Sequence, residues 1–501
     1  GVGAGAQGAG GNITLNGAVT LATSAVSVTT GATAGAVLFG STIDGGQDLD
    51  IISGAGATTI TGAIGAGTAL TSLTVNAAGS GAITISGNIG VGGGAVGVSV
   101  GTAIGNANTT QLTLGGTAYN ANAQTYTAVA GNTIDLTAGA LTTFTSSNDA
   151  ITFATGTVEL ADGSDLTVNS NGAGTGNITL VAIKGTSIEE VTLNAGADQV
   201  TVGQIGAAAS EINDVSITGG TINLGGNIST DDGGDAGDVD LNGAVVLTAA
   251  VTIDTSAGEG TVDLSSTLDG AFDFDIVSGA GSVVIQGTTG ATTPLASFDI
   301  NESGGTGTIE VSSIGAAGAA GVTNATRFGN AATTDLTLDG TVYRTDGSQT
   351  YTAISTGDGI LLKPAGAVAF TTSADDVSFL VGKVTLRGNT SVDTAAGAGT
   401  IRFGTAVDGA FNLTLTAGTG NIDFDANVGS VTRLAAIDVV SAATLDTDGT
   451  FKAASFLQQA GTVLTRFDEN LNLTGAFAFT GNALTLNAAD TSVGTTMTVT
   501  N

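Results

Sequence analysis

One passage of this chain is written three times, and the copies match without a gap. Val26–Val75, Val251–Ile300 and Thr390–Val439 align with no insertion or deletion, the first two identical at about half of their positions. The cores read "STIDGGQDLDIISGAGATTITG" from Ser41, "STLDGAFDFDIVSGAGSVVIQG" from Ser266 and "TAVDGAFNLTLTAGTGNIDFDA" from Thr405. Leu70, Leu295 and Leu434 recur at the same place near their ends. A weaker fourth copy runs through "TSIEEVTLNAGADQVTVGQIG" to Ile217. A second unit also repeats, as "TTQLTLGGTAYNANAQTYTA" from Thr109 and "TTDLTLDGTVYRTDGSQTYTA" from Thr333. Together with "GNITLNGAVTL" at Gly11 and "GDVDLNGAVVL" at Gly237, these define a super-repeat of about 225 residues. Repetition on this scale marks a building unit, so length does not count domains here. The expected division is a first super-repeat over 1–225, a second over 226–440, and further coils of the same kind over 441–501.

Within each unit, short runs alternate Val, Ile or Leu with Thr, Ser or Asp, as in "GNITLNG", "AITISGN", "VTIDTS" and "IDFDAN". Period two with β-branched enrichment predicts strands with one buried face. The runs stop at Gly, Asn and Asp-Gly, which tolerate the positive φ of tight corners. Helical periodicity is nearly absent; "VTRLAAIDVVSAA" from Val431 fits best, yet it aligns with two strand-like copies. Strand starts recur along the whole length, where a sandwich would stop after about 100 residues. The pattern predicts an all-β parallel β-helix, a solenoid of about 20–25 coils stacked at ~4.8 Å, hence a rod on the order of 100 Å.

Composition removes most enzyme chemistry. The chain has no Cys and no His, so thiol nucleophiles, disulfides, Ser-His-Asp triads and the usual transition-metal ligands are excluded. The net charge is −33, and no Lys or Arg precedes Lys184. Such a chain cannot neutralise phosphates, so nucleic acid and anionic membranes are not expected partners. No run is apolar enough to insert in a membrane as a helix. The chain starts at Gly1 without a signal-like segment, which reads as a processed or truncated product.

"GDVDLNGAVVLTAAVTIDTSAGEGTVDL", followed by "LDGAFDFDIVSGAGSVVIQGTTGATTPLASFDI", resembles the repeats of large filamentous-haemagglutinin-like proteins of bacterial surfaces. "GSQTYTA" and "FLQQAGT" are similar to other phrases of that group. The resemblance covers most of the chain. It implies a right-handed parallel β-helix, secreted to the cell surface, in adhesion or fibre building. It carries over no catalytic residue.

The acidic groups are the candidate sites. Asp44, Asp48 and Asp50 match Asp269, Asp273 and Asp275, while the third copy has Asp408, Asn412 and Thr414. Only the Asp-Gly pair persists, which favours a turn role for it and a solvated face for the others. The densest acidic stretch is "STDDGGDAGDVDLNG" from Ser229. Its Asp231, Asp232, Asp235, Asp238 and Asp240 are the candidate metal ligands, with calcium the only cofactor the pattern admits. Gly233, Gly234 and Asp238 match part of a calcium-binding nonapeptide, but Ala236 and Asp240 break it. The plain alternative is an acidic loop at the super-repeat junction. "GVGGGAVG" at Gly90 has no strand–loop–helix context for a nucleotide. Thr-x-Thr pairs raise ice binding, against which the irregular spacing argues.

The expected function is a non-catalytic extracellular fibre or adhesin segment that binds other copies of itself, with surface glycans as further partners. The alternative is a polysaccharide-binding or polysaccharide-cleaving β-helix, which would place two carboxylates beside exposed Tyr in a groove. All four Tyr (Tyr119, Tyr126, Tyr343 and Tyr351) fall in the repeated unit, which favours packing. Between Asp50 and Asp135 no side chain is charged. This neutral segment is the expected self-association face.

Overall fold

The computed structural model describes residues 10–31, 34–172, 176–186, 188–231, 236–357, 359–364, 366–395 and 397–501. Every regular element among them is a β-strand, and the pairings between strands are parallel. The fold is a parallel β-solenoid of about 21 turns, a β-helix repeat protein as the texture predicts. "LAAIDVVSAATLDT", the most helix-like stretch, is one long strand, Leu434–Thr447. The chain divides into two compact units, Gly1–Ala244 and Val245–Asn501.

Each coil has three strands, and therefore three faces. In the second unit the first face stacks Val251–Asp254, Phe274–Val277, Phe298–Ile300, Thr326–Phe328, Gln349–Thr352, Val377–Val381 and Ile401–Phe403. The second face stacks Val262–Leu264, Val283–Ile285, Ile309–Val311, Asp335–Leu338, Gly359–Leu362, Val384–Leu386 and Val407–Asp408. The third begins at Leu268–Asp269 and passes through Thr289 and Ile314 to Tyr343, then to Phe370, Val392 and Leu415. The first unit repeats this scheme, its third face running from Ile43 through Ile64 and Ile89 to Tyr119.

Alternation sets what lies inside. Strands such as Leu49–Ile52 and Phe274–Val277 bury every second residue. Because stacking is in register, like sits on like. Phe328, Tyr351, Phe379, Phe403 and Phe424 form one continuous internal column. Phe403 is fully buried, with ring centroids 5.2 Å from Phe379 and 5.0 Å from Phe424, both nearly parallel. Ring contacts of this kind add about 0.5–1.5 kcal/mol each beyond burial.

The four Tyr belong to the same interior. Tyr119 stacks on Phe144 at 4.6 Å, and Tyr343 stacks on Phe370 at 4.9 Å. The hydroxyls of Tyr126 and Tyr351 donate to Gln124 and Gln349, which are also buried. Desolvation pushes all four hydroxyls above the ordinary Tyr range. The duplicated phrase "QTYTA" is thus a core motif: a buried Gln placed to satisfy a buried Tyr two residues on.

The Phe403→Ala variant should lose about 3–5 kcal/mol of local stability, whereas the outward Thr337→Ala should change it by less than about 0.5 kcal/mol. Hydrogen exchange across Val377–Val381, Ile401–Phe403 and Asn421–Phe424 reads the first, because opening in a solenoid is local.

Candidate functional site

Asp44, Asp269 and Asp408 make the same contact. Asp44 Oδ1 accepts the backbone N–H groups of Gly67 and Thr68 at 2.7 and 3.0 Å. Asp269 Oδ1 takes those of Thr292 and Thr293 at 2.8 and 2.9 Å, and Asp408 Oδ1 those of Val431 and Thr432 at 2.9 and 3.0 Å. Each carboxylate caps the corner of the next coil, where the chain leaves the ladder and its N–H groups would lack partners. The following Gly45, Gly270 and Gly409 have φ of 123°, 130° and 135°. A Cβ there would lie 2.3–2.6 Å from a Leu carbonyl oxygen of the preceding coil, so both φ and space demand Gly.

The three corners share this chemistry but not their place in the coil. Ile43 and Leu268 lie in the columns that lead to Tyr119 and Tyr343, the third face of each unit. Val407 instead stacks on Val384 and Ile360, the second face. The ungapped alignment predicts that Asp408 occupies the same corner of its coil as Asp44 and Asp269; the structure corrects this, because the third copy is set one face over. Its first strand, Thr390–Asp393, falls between Val377–Val381 and Ile401–Phe403 of the column that holds Val251. A corner bonded only to the coils on either side works at any of the three vertices.

Capping by Asp or Asn recurs throughout. Asn88 caps Thr117 and Ala118, Asp165 caps Glu190, Asp214 caps Asp238, and Asp376 caps Thr400. Asn412 caps Ala436 and Asn427 caps Thr450. Asp48 and Asp273 accept the hydroxyls of Ser72 and Ser297 one coil on, each at 2.6 Å. Fully buried Glu189 takes three donors: the N–H of Gly163, the N–H of Thr186 and the hydroxyl of Thr186. Asp and Asn exchange at these positions because only an acceptor oxygen is needed.

The five-Asp calcium candidate is only partly visible. Asp232 and Asp235, with Gly233 and Gly234, lie outside the described residues. Asp231 donates its N–H to Ile212 O at 3.0 Å, Asp238 donates its own to Asp214, and Asp240 points outward. Among the described residues these three do not converge at ligand distance. The acidic groups that do converge are Asp446, Asp448 and Asp468. Arg466 already sits among them, its Nη2 at 2.5 Å from Asp446 and its Nε at 3.1 Å from Asp468. No sequence motif marks the trio, although its spacing matches the shorter coil length of this region.

Some charges remain uncompensated. Asp275 stacks on Asp299, which Arg327 grips with Nε and Nη2 at 2.9 and 2.6 Å. Burial pushes the Asp275 carboxyl upward, and Asp299 and Glu302 push it further. Burial likewise raises Asp423, helped by Asp425 and Asp446. A groove of about 660 Å³ is lined by residues that include Asp346, Asp375, Ser373 and Asn324. Ser373 donates to Asp346 at 2.8 Å, and neighbouring Tyr343 and Tyr351 are buried, so no aromatic platform from the Tyr set faces it.

The chain matches no protein-family profile, no curated protein and no solved structure.

The Asp269→Asn variant should keep the fold within about 0.5 kcal/mol, while Asp269→Ala should lose about 1–3 kcal/mol by orphaning two N–H groups. Denaturation midpoints separate the two. Raised carboxyls also set a pH dependence. Between the ordinary Asp value near 3.8 and the raised value, the folded chain binds more protons than the unfolded one. These groups therefore destabilise the fold at neutral pH, and stability rises as pH falls into that window. Melting followed from pH 7 downward should show the rise, and the double variant Asp275→Asn, Asp423→Asn should flatten it.

Proposed function

We propose that the chain is a non-catalytic structural segment of an extracellular fibre or surface adhesin, of the filamentous-haemagglutinin-like kind, which associates with other copies of itself. The observation that carries this reading is the contrast between equivalent columns of the two units. In the first unit, Asp50 is followed up the first face by Thr74, Ala103, Thr125 and Thr152. The second face carries Thr59, Thr84 and Thr113 before Asp135 restores a charge. The equivalent first-face column of the second unit reads Asp275, Asp299, Arg327 and Thr350. A charged, solvated column thus becomes small and neutral in one unit only. There a register shift between Val98 and Gly101 leaves Val100 63% exposed, where the second unit carries Asn324. A neutral face of this kind can meet a copy of itself without burying unpaired charge.

The commitment of Asp, Asn and Tyr to corners and core also supports a structural role. The alternative, a polysaccharide-binding or polysaccharide-cleaving β-helix, draws on the groove around Asp346 and Asp375.

Thr74→Asp and Thr84→Asp place charge at the centre of the neutral columns. Sedimentation and electron microscopy should show wild-type assemblies and their loss in both variants. Unchanged fibres, with 51–134 exchanging as exposed strands in the assembled state, would exclude this face as the interface.

A further inference from the structure

The charge-free stretch of sequence ends at Asp135, but the uncharged surface continues. In the first unit the outward column that holds Thr125 and Thr152 runs on in register through Thr179 and Thr201 to Asn223. The charges that return to the sequence go elsewhere. Asp135, Glu159 and Lys184 stack on one another along the second face, and Asp165 and Asp214 cap corners. Seven successive strands of the first face therefore hold no charged residue: Leu70–Val75, Val98–Gly105, 121–127, Ile151–Thr155, 178–181, 199–202 and 221–224. The first face of the second unit carries Asp275, Asp299, Arg327 and Arg402 over a similar run of coils.

The groups on this face decide what it fits. Its outward polar side chains are Ser, Thr, Asn and Gln, each of which both donates and accepts. A row of like charges repels a copy of itself. A row of hydroxyls and amides pairs with an identical row, which is the self-complementarity that a symmetric contact needs. Part of the row is held in place beforehand: Asn223 Nδ2 donates to Thr201 Oγ1 at 3.2 Å, and Asn177 Oδ1 accepts the Gln199 N–H at 3.1 Å. Exposed Val100 and Val181 add apolar contact on two of these strands. Asp149 and Asp198 stand in the corners that lead into the face, so charge borders it without crossing it. Seven strands at ~4.8 Å, with about four residues of each at ~3.3 Å, give roughly 440 Å² per copy, or about 900 Å² in a pair. That falls in the weak, transient class of specific contacts, while a face ending at Thr152 would give only about half, the size of an incidental crystal contact. Resting on the self-association read above, we propose that the first face of this unit, through Asn223, is one continuous surface that docks against the same face of a second copy.

Thr179→Asp and Thr201→Asp place charge beyond the charge-free sequence, and Thr337→Asp adds the same charge to an outward position of the second unit. Each full chain is followed by sedimentation velocity over a concentration series, beside wild type and Thr74→Asp, with circular dichroism to confirm the fold. Wild type should assemble, Thr337→Asp should match it, and Thr179→Asp and Thr201→Asp should each raise the midpoint concentration at least tenfold. If both assemble like wild type, the surface stops short of these strands and this proposal falls; the behaviour of Thr74→Asp then tells whether the neutral face falls with it. If Thr337→Asp is impaired as much, the effect is one of net charge and the proposal is likewise overturned. A wild type that stays monomeric at every concentration overturns the self-association reading itself, and this inference with it. Should Thr179→Asp or Thr201→Asp not fold, hydrogen exchange of the wild type decides: 178–181, 199–202 and 221–224 should gain protection on assembly, and no gain there refutes the extended surface.

Discussion

Each coil in this protein is held by the coil beside it, through parallel backbone hydrogen bonds along the strands and side-chain caps at the corners. The ladder satisfies N–H and C=O groups wherever the chain is extended. At a corner the chain turns away and the ladder stops, leaving N–H groups to be satisfied by other means. Asp and Asn supply that means. Their acceptor oxygens reach one coil on, as from Asp44 to Gly67 and Thr68 or from Asn427 to Thr450. Most features of the sequence follow. Gly is abundant because corners need positive φ and close backbone approach. Asp is abundant because corners need acceptors. Part of the negative charge is a by-product of capping.

Local closure explains how one passage can serve at different vertices. The third copy keeps its Asp-Gly corner, its φ of 135° at Gly409 and its paired caps, yet sits one face away from the second. Nothing in the corner depends on which face it joins, because its partners are only the coils before and after. The inserted chain therefore need not be a whole number of coils. Face-specific features do not carry over in this way. The Tyr–Gln pair has Phe153 or Phe379 stacked against its ring, and it keeps its place in both super-repeats.

The fold was legible in the sequence because period-two alternation and Gly/Asn stops are local signals. So was the corner role of Asp44, Asp269 and Asp408, which rested on the loss of Asp48 and Asp50 equivalents in the third copy. Asn412 in fact keeps the acceptor and drops only the charge, a distinction that emerges once the inter-coil partner is known. The face of the third copy was not legible. It depends on the summed lengths of coils between Val251 and Thr390, and those vary with every loop. The convergence of Asp446, Asp448 and Asp468 was hidden for the same reason: residues about 20 apart meet only when the local coil has that length. The candidate drawn from acidic density around Asp231 reflected caps as much as ligands, since Asp214 and Asp238 are tied by one.

Cations are more informative here than anions. An Asp at a corner has a structural reason to be present, so its occurrence says little about function. No corner requires Lys or Arg. Where Arg327 or Arg466 appears, it offsets stacked carboxylates that would otherwise repel across neighbouring strands. Each of those cations answers a structural need that is visible beside it. Among the described residues Lys383 and Arg387 have no carboxylate within ion-pair distance, and neither do Arg344, Lys363 and Lys452; buried carboxylate oxygens without a donor occur at more than one Asp-Gly pair, as at Asp339 and Asp408. In a fold where capping gives many acidic residues a structural reason to be present, a cation is the more informative charge, because each has to be explained by the groups beside it.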